Sequence, residues 1–281
     1  MRQVLLQMDQ VTKRYGPDAE VGPLSLSLGE GEWVVLTGPD GAGKTTALRL
    51  AAGVLAPSSG RVQRVEEGIG YVAAAFSLYP DLTAEENVRF FARAFGMASG
   101  QARAESERLL EWVGLGPHSH RLAGQLSGGM KKKLALVCAV VHRPKVLLMD
   151  EPTTGVDPVS REAFLALLHE FAAGGAAVLL STQYMHEAEH AGRVVLLDRG
   201  HVLCDAGLSE LRARYPHHVA EISGGSRSAL LERAHALPGM VSAHPLGGRV
   251  RVVLREPVAG LEQAAPSLED LFVWLAGDES R

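Results

Sequence analysis

Cysteine is scarce in this 281-residue sequence: only Cys138 and Cys204 occur, far apart and without a CxxC. A disulfide framework is therefore excluded, and a reducing compartment such as the cytosol is expected. Long apolar runs are also lacking. The longest, residues 134–141, stops at His142-Arg143-Pro144, and Met1-Arg2-Gln3-Val4 opens no apolar signal core. No segment is long enough to span a bilayer as a helix. Nor does one sign of charge dominate, since 28 Lys and Arg stand against 32 Asp and Glu for a formal net charge of -4. That balance speaks against a nucleic-acid partner. The one basic run, Lys131-Lys132-Lys133, reads as a solvated helix face, with phosphate contact as the alternative. Internal repeats, low-complexity stretches and heptad runs are absent as well.

Glycine, by contrast, is plentiful, and part of it is patterned. Gly38-Pro39-Asp40-Gly41-Ala42-Gly43-Lys44-Thr45-Thr46 satisfies GxxxxGK[ST]. It follows an alternating strand pattern at 24–28 and an apolar run at 32–37, and it precedes a helical stretch over 45–55. The glycines let successive backbone N–H groups curl around a polyphosphate, and the helix N-terminus adds favourable dipole charge. Lys44 would neutralise the outer phosphates. Thr45 would offer its hydroxyl to Mg²⁺, a hard cation that prefers oxygen. The plainer alternative is a turn that merely connects strand to helix.

Further along, Val146-Leu147-Leu148-Met149-Asp150-Glu151 reads as an apolar strand ending in two carboxylates at the carboxyl edge of a sheet. Asp150 can hold magnesium, largely through water, and Glu151 can orient or deprotonate an attacking water. Acidic pairs at strand ends are often inert, so this one gains weight only from the phosphate loop upstream. Leu126-Ser127-Gly128-Gly129-Met130 opens a helical stretch that runs to residue 140. Alone, it reads as a Ser N-cap on a tight turn.

In this order the three motifs resemble the ABC family of ATP-binding cassettes, over residues 4–214. The resemblance implies an α/β P-loop NTPase cassette with a mixed-sheet core and a helical signature subdomain at about 76–130. The pattern of strands at 69–72, 146–149, 177–181 and 193–197, with helical stretches at 85–95 and 101–113, agrees with it. Residues 215–281 read as a small α+β appendage, with strands at 219–222, near 241 and at 249–254, and helices over 226–237 and from 267. ATP and Mg²⁺ are the implied cofactors. Ser127, Gly128 and Gly129 would cover the γ-phosphate held on the phosphate loop of a second cassette. Tyr15 lies where the family stacks an aromatic on adenine. Asp157, in Pro152-Thr153-Thr154-Gly155-Val156-Asp157-Pro158, lies where the family contacts the partner cassette.

Leu78-Tyr79-Pro80-Asp81-Leu82-Thr83, Tyr184-Met185-His186-Glu187-Ala188-Glu189 and Ser267-Leu268-Glu269-Asp270-Leu271-Phe272 are similar to bacterial drug-efflux exporters of the ABC-2 type. By that likeness the chain would work in the cytoplasm, peripherally on the inner face of the cell membrane, with an integral-membrane permease on another polypeptide.

Two positions depart from the family pattern. Ala74 stands where a glutamine is expected after Ile69-Gly70-Tyr71-Val72, and Gln183 stands where a histidine is expected after Ser181-Thr182. Gln183 can donate a hydrogen bond but carries no charge. With Lys44, Asp150 and Glu151 in place, firm ATP binding and reduced hydrolysis are expected. A non-hydrolysing ATP sensor in a heterodimer and a soluble, non-transport ABC protein remain alternatives. So, remotely, does a zinc peptidase, because His186-Glu187-Ala188-Glu189-His190 matches HExxH, which on a helix sets both imidazoles on one face.

Overall fold

The computed structural model describes residues 3–17, 19–65, 68–75 and 78–278. The chain forms two compact units, Met1–Asp205 and Ala206–Arg281. Sequence patterning sets the boundary at 214/215. In the structure the helix Leu208–Arg214 falls in the second unit.

The first unit begins with strands β1 (Val4–Arg14), β2 (Glu20–Gly29) and β3 (Trp33–Thr37), then helix α1 (Lys44–Ala52) and strands β4 (Ser59–Arg64) and β5 (Ile69–Val72). Helices α2 (Ala84–Ala94), α3 (Ser99–Trp112) and α4 (Gly128–Val140) follow. Then come β6 (Val146–Asp150), α5 (Pro158–Ala173), β7 (Ala177–Thr182), α6 (Met185–Ala188), β8 (Arg193–Asp198) and β9 (His201–Gly207).

The strands make two sheets, a three-stranded one in the order β2-β1-β4 and a six-stranded one in the order β5-β6-β7-β3-β8-β9. β1 pairs antiparallel with β2 and β4, whereas β5, β6, β7, β3 and β8 run parallel. The wholly buried patterns of β3, β6 and β7 follow from that, since parallel strands are covered on both faces. Helix α1 packs between the sheets, meeting β1 and β2 on one side and β6 and β7 on the other. Its Leu48 and Leu50 join Leu6, Val11, Leu28, Val34, Leu148 and Leu179 in one apolar core. It stops at Ala52 rather than at 55, because Gly53 takes the left-handed C-cap conformation (φ +77°) and returns its N–H to the Leu50 carbonyl.

The helices between β5 and β6 pack on one another, so the helical insert is present from Ala84. Residues 76–77, where the sequence reading begins it, lie outside the described residues. Thr83 starts α2 through a reciprocal capping box with Glu86. The buried Asn87 exchanges hydrogen bonds with the main chain of Tyr79 and also donates to the carbonyls of Leu82 and Thr83, fixing the approach to the helix. The latter part of α4, from Leu134, is buried.

The second unit contains α7 (Leu208–Arg214), β10 (His218–Ile222), α8 (Arg227–His235), β11 (Met240–Leu246), β12 (Arg249–Leu254), β13 (Glu262–Ala264) and α9 (Leu268–Asp278). Its four strands form an antiparallel sheet in the order β11-β12-β10-β13. Leu230 and Ala234 of α8 cover one face, against Ile222, Val250 and Val252. Arg251 of β12 holds Asp270 of α9 at 2.8 Å. These elements match the small α+β pattern.

Candidate functional site

The phosphate-loop residues lie between the end of β3 and the start of α1. Gly38 (φ +152°) admits no side chain, because a Cβ there would overlap the Leu197 carbonyl. Gly43 (φ +102°) is the left-handed N-cap of α1, where a Cβ would come 2.9 Å from Val21 Cγ1. Pro39, Asp40 and Gly41 at the loop tip are exposed, and Ala42 is buried. The first-turn N–H groups of α1 have no acceptor within the helix and no acidic side chain beside them, which suits them to an anion.

Lys44 is 5% exposed, and its Nζ donates to the carbonyls of Gly38 (2.8 Å) and Pro39 (3.0 Å) while standing 3.9 Å from Glu151 Oε1. Thr45 Oγ1 donates to Asp150 Oδ1 at 3.1 Å. Ser181 Oγ donates to the same oxygen at 2.7 Å, which parallel register explains, since Asp150 of β6 is paired with Ser181 of β7. Glu151 has φ +45°, an uncommon conformation for a non-glycine residue. Its N–H donates to the Ser181 carbonyl and lies within reach of Ser181 Oγ, both at 3.1 Å. Tyr15, 57% exposed, shares a 2.9 Å hydrogen bond between its hydroxyl and Thr46 Oγ1 at the loop's mouth. Tyr15, residues 38–46, Asp150 and Glu151 therefore come together. A glycine cradle, a buried cation and hard oxygen donors from Thr45 and Asp150 fit a nucleotide polyphosphate with Mg²⁺.

Ala74 lies just beyond β5, where Val72 pairs with Met149 of β6, and it offers only an exposed methyl. Gln183, half-buried, directly follows β7.

Ser127, Gly128 and Gly129 lie elsewhere. Among the described residues no hydrogen bond joins them to the phosphate loop. Ser127 caps α4, accepting from Met130 N–H at 3.3 Å. Gly128 lies beside the Gly155 carbonyl, and Gly129 beside Ser160. Asp157 caps α5 by accepting from Ser160 N–H at 2.9 Å, which holds its carboxyl below the usual range. The signature turn and the Asp157 loop thus form a second, exposed cluster.

Three residues at the site were not legible in the sequence. Ser181 emerges only from strand register. Lys132, expected on a solvated face, is half-buried with Nζ 3.4 Å from the Glu151 carbonyl. Burial lowers its pKa, while Glu151 and Asp150 oppose the shift. Glu187 is wholly buried, where the zinc alternative needs a base open to a metal-bound water. Helix α6 also ends at Ala188, so His186 and His190 do not share a helical face. His190 instead lies 3.8 Å from Glu162.

Residues 21–154 match the family model described as ABC transporter. The chain is 37% identical over 307 residues to a probable multidrug ABC transporter ATP-binding protein of Escherichia coli, an alignment that takes in 99% of this chain and 53% of that protein. It spans about half the length of that relative. It is 36% identical over 304 residues to the Nod factor export ATP-binding protein I of Paraburkholderia xenovorans, with 99% of each chain covered. Among solved structures, a dimeric ATP-binding cassette in a post-hydrolysis state with ADP and Pi superposes with a TM-score of 0.65 at 26% identity, over 73% of this chain and 99% of that one. The glycine cradle before α1, the carboxylates at the end of β6, the helical insert that carries Ser127 and the likeness to the Nod factor export protein over 99% of both chains agree: the chain belongs to the ABC transporter ATP-binding family.

Proposed function

We propose that the chain is the ATP-hydrolysing subunit of an exporter, acting with an integral-membrane permease and a second cassette on the inner face of the cell membrane. The observation that carries this reading is the separation of two half-sites in one chain. Residues 38–46 with Asp150 and Glu151 form the phosphate-holding half, and Ser127–Gly129 with Asp157 form an exposed half that, among the described residues, shares no hydrogen bond with residues 38–46. Head-to-tail pairing of two cassettes completes both, and the dimeric cassette among its structural relatives supports that arrangement. The multidrug transport named for one relative and the Nod factor export named for another support export.

Among the described residues no helix is long and apolar enough to cross a membrane. The exposed Tyr79, Phe90 and Phe95, on and around α2, are the surface we assign to the permease. Residues 215–281 serve in this reading as an accessory domain.

Within the site, the loop N–H groups and Lys44 bind and orient the phosphates, and Thr45 and Asp150 would hold Mg²⁺, which when bound would supply positive charge to neutralise the phosphates. Glu151 aligns the attacking water and takes its proton. Tyr15 presents its ring to the base. Gln183 donates to the outer phosphate without charge, and Ala74 donates nothing, so two stabilising contacts are weakened or lost. One such donor is worth about 10²–10³ in rate. The intact Ser127–Gly129 turn remains able to complete a site on a different partner, which favours, as a second reading, a heterodimer in which this chain chiefly senses ATP.

The test is steady-state ATP turnover of the purified chain. We expect less than about 1 s⁻¹, rising about tenfold or more in the double variant Ala74→Gln/Gln183→His. Rapid turnover without those changes, or a fall on making them, overturns the reduced-hydrolysis reading.

A further inference from the structure

Glu187, part of the stretch that resembles a zinc motif, has another engagement. Its carboxylate is 0% exposed. Oε2 accepts hydrogen bonds from Thr182 Oγ1 at 2.7 Å and from Thr153 Oγ1 at 2.9 Å, and both threonines are 1% exposed. Oε1 lies 3.1 Å from Arg161 Nε, an ion contact too bent to count as a hydrogen bond. The guanidinium of Arg161 also lies 4.5 Å from the centroid of the Tyr184 ring, and its Nη1 is 3.1 Å from His186 Nε2.

A buried carboxylate is costly, and an apolar side chain of similar size would often stabilise the same space as well or better. The arrangement makes sense through what it ties together. Thr182 is the residue before Gln183 at the end of β7. Thr153 begins the loop that ends at Asp157. Arg161 lies in the first turn of α5, and its N–H donates to the Asp157 carbonyl at 2.9 Å. One carboxylate therefore reaches the Gln183 segment from one side and the Asp157 segment by two routes from the other. Because both hydroxyls share a single oxygen and no water reaches it, neither threonine can shift without disturbing the partner of the other.

We propose that Glu187 is a positioning residue that locks the Gln183 strand end to the Asp157 loop, so that a nucleotide-induced shift at one is transmitted to the other. The proposal rests on the reading above in placing the outer phosphate near Gln183 and the second cassette near Asp157.

Hydrogen exchange of the full chain with and without MgATP tests it. In the wild type, amides in 38–46, 182–184 and 153–157 slow together, by about tenfold or more. In Glu187→Ala, residues 38–46 and 182–184 still slow, whereas 153–157 stays within about twofold of its nucleotide-free rate. Thr153→Val, which cuts one of the two routes on the Asp157 side and leaves the carboxylate bonded to Thr182 and beside Arg161, weakens the slowing at 153–157 at least about threefold and covers the case in which Glu187→Ala fails to fold. ATP affinity stays within about twofold in Thr153→Val while turnover falls about tenfold, a split that general destabilisation does not produce. Joint slowing of both segments to the wild-type extent in a folded variant overturns the proposal, as does independent slowing in the wild type. Absence of slowing at 38–46 in the wild type instead overturns the nucleotide reading, and the proposal with it.

Discussion

The loop at 38–46 and the turn at Ser127–Gly129 share a chemistry, glycines leading into a helix N-terminus, but they are built differently. The first is enclosed: Lys44 is buried and bonded to its own loop, Asp150 is 1% exposed with two hydroxyl donors on one oxygen, and Gly38 and Gly43 press against neighbouring residues. The second is open. Ser127 and Gly128 are exposed, Ser127 Oγ accepts from its own helix, and among the described residues a Cβ on Gly128 would meet nothing nearer than the Gly155 carbonyl at 3.5 Å. An enclosed helix N-terminus with its own cation is a complete anion socket. An open one is half of an interface, and its anion has to come from elsewhere.

Substitution of Lys44 breaks that contrast most severely. Lys44→Ala removes a buried cation of the socket and leaves two carbonyls without their donor. Hydrogen bonds to a charged group contribute about 1.5–3 kcal/mol each, so ATP affinity should fall by about 10–100-fold. Turnover should fall by more, about 10²–10³, because charge on the outer phosphates grows in the transition state. Titration with a fluorescent ATP analogue checks the first figure; unchanged affinity would mean that the enclosed loop is not where the phosphates sit.

Gly128→Asp attacks the open half and should behave in the opposite way. The new side chain has room, and an acidic residue in the first turn of α4 agrees with the helix dipole, so the melting temperature should hold or rise slightly. ATP affinity at the chain's own loop should stay within about twofold, while turnover of the assembled pair falls about 10–100-fold, since a carboxylate now faces the partner's γ-phosphate. Affinity and turnover falling together would show that the turn serves its own loop after all.

The same contrast explains what was legible in the sequence. Contiguous signals are local: the buried runs of β3, β6 and β7, and the two separate motifs that carry Lys44-Thr45 and Asp150-Glu151. β1 was missed because its register shifts between Met8 and Val11, where Gln10 sits at φ +47°, and that breaks the alternation expected of a strand. β4 was missed because it buries almost nothing. The contacts of Ser181 and Glu187 were invisible for another reason. Their importance arises from parallel register and from side chains that converge after folding, so no spacing rule reports it. Lys132 misled because a three-lysine run looks like a solvated face until α4 is laid beside the Asp150–Glu151 strand end.

The smallest effect concerns how the helical insert is fastened to the strand-bearing body. Glu105 of α3 is 8% exposed and pairs with Arg108 at 2.7 Å on its own helix and with Arg143 at 3.3 Å in the turn between α4 and β6. The hydrogen bond from Arg108 comes first among the causes that hold its carboxyl at about 2; burial opposes the shift, and Arg143 adds to it. Because the folded-state value lies below the ordinary one, the stabilisation is present in full above the ordinary carboxylate range near 4.5 and is lost as pH falls toward 2. Both arginines are more than half exposed, so solvent screening keeps the contribution below about 1 kcal/mol. Denaturant midpoints of Glu105→Gln and wild type should therefore differ slightly at pH 7 and converge as the pH approaches 2. A gap that persists into acid would mean that Glu105 acts by packing, and that the open, signature-bearing half is held to the enclosed one by shape rather than by charge.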